Sequence, residues 1–240
     1  FNQLKFEKFI GHGGFGKVYR GHYKNELVAI KEPIYYQQKS MKIINNSLRE
    51  EARLQFYLDH PNIIRIHGLS MNQEKIYLVM EYAAGKSLQE LLTKYSLTPA
   101  IIINFAKQIS SAMEYLHNFK PKPIIHRDLK SSNILLDLPI GIGNSLEKQI
   151  KLTDLGLARE FTHSTSLMTQ CGTYAWMAPE SIVRSQFSKA SDVWSFGVLL
   201  TAEIPYANID GVAVAYGIGN RQLTLHIPKT CPEELKHILQ

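Results

Sequence analysis

The sequence predicts an α+β protein in two lobes, a small sheet lobe carrying one helix and then a larger, mainly helical lobe, with a cleft between them. Three observations predict it. Residues before a loop at 85–87 fall into short β-branched and aromatic runs parted by Gly and polar turns. Residues after that loop carry apolar side chains at helical spacing. A content of 45% apolar residues in 240 is enough to fill a core of this size.

Taken in order, strands are expected at 4–10, 17–21 and 27–31, then at 63–69 and 76–82. Between them, Met41, Ile44, Leu48, Ala52, Leu54 and Leu58 recur at mostly helical spacing over 40–59, until His60-Pro61 stops the helix. Beyond the loop, Thr98 is an N-cap with Pro99 at the first helical position, and Ile101, Phe105, Ile109, Ala112, Met113 and Leu116 make one buried face. Short strands at 124–125, 134–136 and 150–153 flank a loop, and a second apolar helix runs from Ser191 past Leu200. The lobes divide as 1–84 and 85–240.

Charge alone assigns nothing. The 27 basic and 21 acidic residues leave +6, but no block of five or six like charges and no Lys/Arg cluster interleaved with aromatics exists. Binding to nucleic acid is therefore not expected. Two cysteines, Cys171 and Cys231, are too few for a disulfide framework, and no signal peptide is legible, so a reducing, cytoplasmic setting is expected. Apolar stretches such as 198–200 and 100–103 are far too short to insert into a membrane.

Four motifs carry chemistry. Gly11, Gly13 and Gly16 have G-x-G-x-x-G spacing between two strands, where missing Cβ atoms let the backbone approach phosphate oxygens. A Gly-rich hairpin looks the same, whereas a dinucleotide fingerprint would need a helix directly after the glycines, and Lys17 to Arg20 alternate like a strand. Val28-Ala29-Ile30-Lys31 ends the third strand on a lysine, and the helix at 40–59 places Glu51 inward, with Glu50 as the adjacent alternative. A lysine held by a carboxylate is a positioned charge for the phosphates of a nucleotide. His126-Arg127-Asp128-Leu129-Lys130-Ser131-Ser132-Asn133 gathers a proton acceptor, a phosphate cation and a metal oxygen ligand in one loop. Asp154-Leu155-Gly156 adds a second hard oxygen ligand, suited to Mg²⁺ bound with a nucleoside triphosphate.

In this order the four motifs resemble a eukaryotic protein kinase domain, over almost the whole chain. Residues 172–180, Gly-Thr-Tyr-Ala-Trp-Met-Ala-Pro-Glu, resemble the end of an activation segment, and 191–197 the helix start beyond it. Within that family the stretches 130–133, 174–180 and 213–233 are most similar to mixed-lineage kinases of the tyrosine-kinase-like group. The resemblance implies a two-lobed kinase fold with an antiparallel sheet, and ATP with Mg²⁺ as cofactors. It implies that Gly11, Gly13, Gly16 and Val18 cover ATP, that Ile10, Ala29 and Leu135 sandwich adenine, and that Met80 is the gatekeeper before a hinge from Glu81 to Ala83. Lys31, paired with Glu51, would hold the α- and β-phosphates, Asp128 would accept the substrate hydroxyl proton, Lys130 would neutralise the γ-phosphate, and Asn133 with Asp154 would bind the metal. Lys130 and Thr173 favour serine/threonine substrates, and Thr165, Ser166 or Thr169 is the expected activating site, ordered against Arg127 when phosphorylated.

Some residues depart from the family pattern. Leu155 stands where Phe is usual and should still pack. Gln55 stands where an apolar residue joins the lobes, so that it loosens the helix unless Phe56 fills in. After Leu200 the chain lacks a Trp-Glu-Leu-Leu stretch, and with 60 residues after Glu180 and no late arginine, the second lobe reads as truncated or as missing residues. The resemblance implies a MAP kinase kinase kinase acting on MAP kinase kinases, dimerising through regions outside this chain. The rival expectation is a pseudokinase or scaffold that binds nucleotide or partners without turnover.

Overall fold

The computed structural model describes residues 3–13, 16–34, 38–139, 148–155 and 174–227. Five strands, β1 (Leu4–Gly13), β2 (Gly16–Tyr23), β3 (Glu26–Pro33), β4 (Ile66–Asn72) and β5 (Lys75–Glu81), form one antiparallel sheet in the order β1-β2-β3-β5-β4. The turn between β2 and β3 puts both Lys24 and Asn25 at positive φ, 48° and 70°, the twist a two-residue hairpin requires. As the central strand, β3 is covered on both faces. Val28 and Ile30 pack with Leu4, Tyr77 and Val79 on one side, where Phe6 meets Tyr19 and Tyr77 edge to face. Ala29 faces the other side with Ile66, Ile76, Leu78 and Met80, covered by Leu48 and Ala52 of α1 (Gln38–Gln55).

Two expectations change here. Helix α1 ends at Gln55, four residues before the expected Asp59, and Leu58 packs into the core of the second lobe instead of the sheet. Strand β4 starts at Ile66 rather than at residue 63, because 62–64 have another partner. Leu152 N donates to Asn62 O at 2.8 Å and Ile64 N donates to Leu152 O at 2.8 Å, so the backbone of this segment is bonded to the far lobe while the Ile64 side chain packs in the sheet cluster.

The second lobe contains α2 (Leu88–Lys94), α3 (Pro99–His117), a 3₁₀ turn (Ser131–Asn133), and the antiparallel pair β6 (Ile134–Leu136) and β7 (Ile150–Leu152). A second 3₁₀ turn (Tyr174–Trp176), α4 (Pro179–Arg184), α5 (Lys189–Leu200) and α6 (Gly211–Gly219) follow. Thr98 and Pro99 open α3 as expected, and its face of Phe105, Ile109, Ala112, Met113 and Leu116 lies in a core with Leu136, Leu152, Leu155, Trp176 and Val198. Leu155 is only 2% exposed, so the branched aliphatic side chain fills its place. No strand forms at 124–125, because the Ile124 N–H returns to Leu116 O at the end of α3. Helix α5 stops at Leu200 instead of running past it, as Thr201 turns its hydroxyl back to Val198 O and Ala202 takes a φ of 53°. Among the described residues, no helix is long and apolar enough to cross a membrane.

Candidate active site

The loop between α3 and β6 is shaped by one carboxylate from α5. Asp192, 1% exposed, accepts the backbone N–H groups of His126 and Arg127, both at 2.9 Å, and pairs with His117 Nε2 at 2.8 Å. The Ser188–Ser191 capping box starts α5 one turn earlier and fixes that carboxylate's approach. With its amide thus committed, Arg127 is held at φ 66°, a conformation that costs a non-Gly residue energy and persists only where neighbours impose it. Its guanidinium lies over the Phe187 ring, 5.9 Å from the centroid.

Held in this way, the loop brings three of the expected residues together. Lys130 Nζ lies 2.9 Å from Asp128 Oδ2. Asn133 Nδ2 donates to Asp128 O at 2.8 Å and to Asp128 Oδ2 at 3.0 Å. Both amide protons of Asn133 are thereby used on Asp128, which turns its Oδ1, a hard oxygen, the other way. Thr153 N donates to Asn133 O at 3.0 Å, so the residue before Asp154 is bonded to Asn133 itself.

Asp154 follows β7 at φ 55° and meets Lys31 from β3, with Nζ to Oδ1 at 2.5 Å. This ion pair joins the two lobes. Burial by itself would raise the Asp154 pKa, but the charge and hydrogen bond of Lys31, with Lys130 behind it, outweigh burial and leave the carboxyl below its ordinary range. The Glu51 and Glu50 side chains lie outside the described ones. So do residues 156–173, with the candidate phosphorylation sites Thr165, Ser166 and Thr169, and both cysteines.

Val18, Ala29, Met80, Tyr82, Ala83 and Leu135 belong to one cluster that runs from the sheet to β6, while Ile10 stays outside it at 42% exposure. The cluster is apolar, and two residues after its member Ala29 the same strand β3 carries Lys31 of the ion pair. Gly13 pairs with Gly16 at the closed end of the β1–β2 hairpin. A Cβ on Gly16 would fall 2.2 Å from Glu32 O, so glycine there is demanded by β3; a Cβ on Gly11 would meet nothing within 4 Å. Glu81, whose backbone is the part expected at the hinge, pairs its carboxylate with Lys151 at 2.6 Å and accepts from Arg65 N at 3.2 Å.

Gln55 is buried at 7%, whereas Phe56 is 59% exposed and does not take its place. Sequence reasoning missed Asp192 as the loop's anchor, although Ser191-Asp192-Val193-Trp194 carried the signal of an acidic residue in the first turn of an apolar helix. It also passed over Gln108, Ser111 and Tyr115 on α3, having read only the apolar positions of that helix. These residues hold the segment 59–62.

The oxygens of Asn133 and Asp154, beside two lysines, suit a small divalent cation bound together with phosphates. Mg²⁺ takes one or two protein oxygens and keeps the rest of its shell for phosphate and water. Among the described residues no group of three or more His, Cys, Asp or Glu forms a self-sufficient metal cage. The donor set therefore fits a metal that arrives with its ligand.

Comparison with known proteins agrees with this geometry. A model described as "Protein kinase domain" matches residues 4–240. Mitogen-activated protein kinase kinase kinase 11 of Homo sapiens is 49% identical over 243 residues, covering 100% of this chain and 29% of the relative. Mitogen-activated protein kinase kinase kinase 10 of Mus musculus is 48% identical over 244 residues, covering 100% of this chain and 26% of the relative. A mitogen-activated protein kinase kinase kinase of Drosophila melanogaster is 47% identical over 237 residues, with 97% and 20% covered. The chain thus spans less than a third of the length of these relatives.

Proposed function

This chain belongs to the protein kinase domain family, and from that premise we propose that it is an ATP-dependent protein serine/threonine kinase of mixed-lineage type. It acts as a MAP kinase kinase kinase on MAP kinase kinases. The observation that carries the reading is the Lys31–Asp154 ion pair across the lobes, set beside the hydrogen-bonded group of Asp128, Lys130 and Asn133.

Each residue has a role in this reading. Adenine lies in the slot of Val18, Ala29 and Leu135, past Met80, against the backbone from Glu81 to Ala83; Ile10, Gly11, Gly13 and Gly16 close over it. Lys31, with Glu51, orients the α- and β-phosphates. Asp128 accepts the proton of the substrate hydroxyl as it attacks, while Lys130 offsets the charge of the γ-phosphate. Asn133 and Asp154 would hold Mg²⁺, which when bound supplies charge neutralisation between the phosphates. Positioning and charge neutralisation are what a loose phosphoryl-transfer transition state needs. The same reading takes residues 1–84 and 85–240 as the two lobes of one domain, in the cytoplasm, without nucleic acid. It takes dimerisation to run through regions outside this chain.

The test is transfer of the γ-phosphate from labelled ATP with Mg²⁺ to a MAP kinase kinase. Wild type is expected to transfer it to serine or threonine, and Asp128→Asn to lose at least about a hundredfold in kcat. No transfer by wild type, with nucleotide still bound, would establish the pseudokinase reading that the buried Gln55 favours.

A further inference from the structure

On α3, Gln108, Ser111 and Tyr115 stand at i, i+3 and i+7, in a stripe bordering the apolar face that enters the core. All three reach the segment after α1. Tyr115 OH accepts from Asp59 N at 3.1 Å, Ser111 Oγ meets His60 Nε2 at 3.3 Å, and Gln108 Oε1 accepts from Asn62 Nδ2 at 2.8 Å. Gln108 also reaches β7. The same Oε1 accepts from Ile150 N at 2.9 Å, its Nε2 donates to Lys148 O at 3.0 Å, and Asn62 Nδ2 donates in turn to Ile150 O at 3.0 Å. Both lone pairs of one amide oxygen are thus shared between the segment leaving α1 and the first residue of β7.

We propose that Gln108 is a positioning residue for phosphoryl transfer, fixing α1 and Asp154 relative to each other through this joint. The proposal rests on the kinase reading above. Asp154 lies four residues beyond Ile150, just past a strand too short to hold its own place, since β7 has three residues and a single strand partner in β6. The remaining support comes from the 62–64 segment and from Gln108. A side chain locked by three hydrogen bonds keeps the Lys31–Asp154 geometry to within the fraction of an ångström that catalysis requires, and a shift near 1 Å is worth roughly a hundredfold in rate.

Steady-state kinetics of the full chain test this role. Gln108→Met keeps the volume and removes all three bonds; kcat is expected to fall about tenfold while KM for ATP and for the protein substrate stay within about twofold. Gln108→Glu keeps both accepted bonds but sets a carboxylate oxygen against Lys148 O, so it is expected to restore kcat only in part, to between the Met variant and wild type. Ser111→Ala, on the same stripe but without contact to β7, is expected to leave kcat unchanged. If Gln108→Met does not fold, Asn62→Ser removes the loop's half of the joint and is expected to lose kcat similarly. An unimpaired kcat in Gln108→Met, or an equal loss in Ser111→Ala, overturns this role alone. A wild type that transfers no phosphate removes the kinase reading and this role with it.

Discussion

His126 sits at the crossing of the site's hydrogen bonds. Its backbone N–H goes to Asp192, its Nδ1 accepts from Asp128 N at 3.4 Å, and among the described residues its buried Nε2 has no partner. Burial holds the imidazole pKa below its ordinary value, despite the opposing pull of Asp192 and Asp128. The unfolded chain takes up this proton near pH 6.5, about the ordinary histidine value, and the folded chain does not. Stability is therefore complete above that pH and is lost as pH falls toward the folded pKa. His60, lowered by burial and by Lys151, adds in the same direction. In thermal melts from about pH 7.5 to 5.5, His126→Phe is expected to lose less Tm than wild type over the interval; parallel curves would refute it.

At the scale of elements, the start of α5 decides the loop. The capping box satisfies N–H groups that α5 would otherwise leave open, with Ser188 Oγ accepting from Ser191 N and Ser191 Oγ from Ser188 N. Phe187 just before it touches Arg127, and Asp192 just inside it holds the backbone of 126–127. Ser188→Ala is expected to cost about 1 kcal/mol in denaturant unfolding. It should also lower kcat, because the anchor of the Asp128 loop frays with the helix; a loss of stability with kcat intact would separate the cap from the site.

For the whole molecule, the lobes are joined by the Lys31–Asp154 pair, by residues 62–64 on β7 and by Glu81 with Lys151. A nucleotide placed between them binds the folded chain alone and raises its stability by mass action, by about 2.7 kcal/mol at a hundred times Kd. ATP with Mg²⁺ is expected to raise Tm. Removing Mg²⁺ with a chelator, or substituting Lys31→Met, should reduce that rise; equal shifts in all three conditions would count against the assigned metal and phosphate groups.

The sequence by itself determined the two-lobed α+β plan, most strand positions, the α3 helix and the residues brought together at the site. Apolar periodicity, Gly and Pro punctuation and the short spacing from Asp128 to Asn133 are local properties, and local properties survive in a linear string. Tertiary structure decided the rest. Ile64 looks like strand and bonds to β7; Leu58 looks like the end of α1 and packs in the other lobe; Gln108 carries no signal in the linear pattern and accepts from Ile150 N. In the hydrogen-bonded cases the deciding partner lies 42 residues away for Gln108 and 88 for Ile64, and a hydrogen-bonding choice is fixed by which donors and acceptors the folded chain brings within about 3 Å, which no window along the sequence contains.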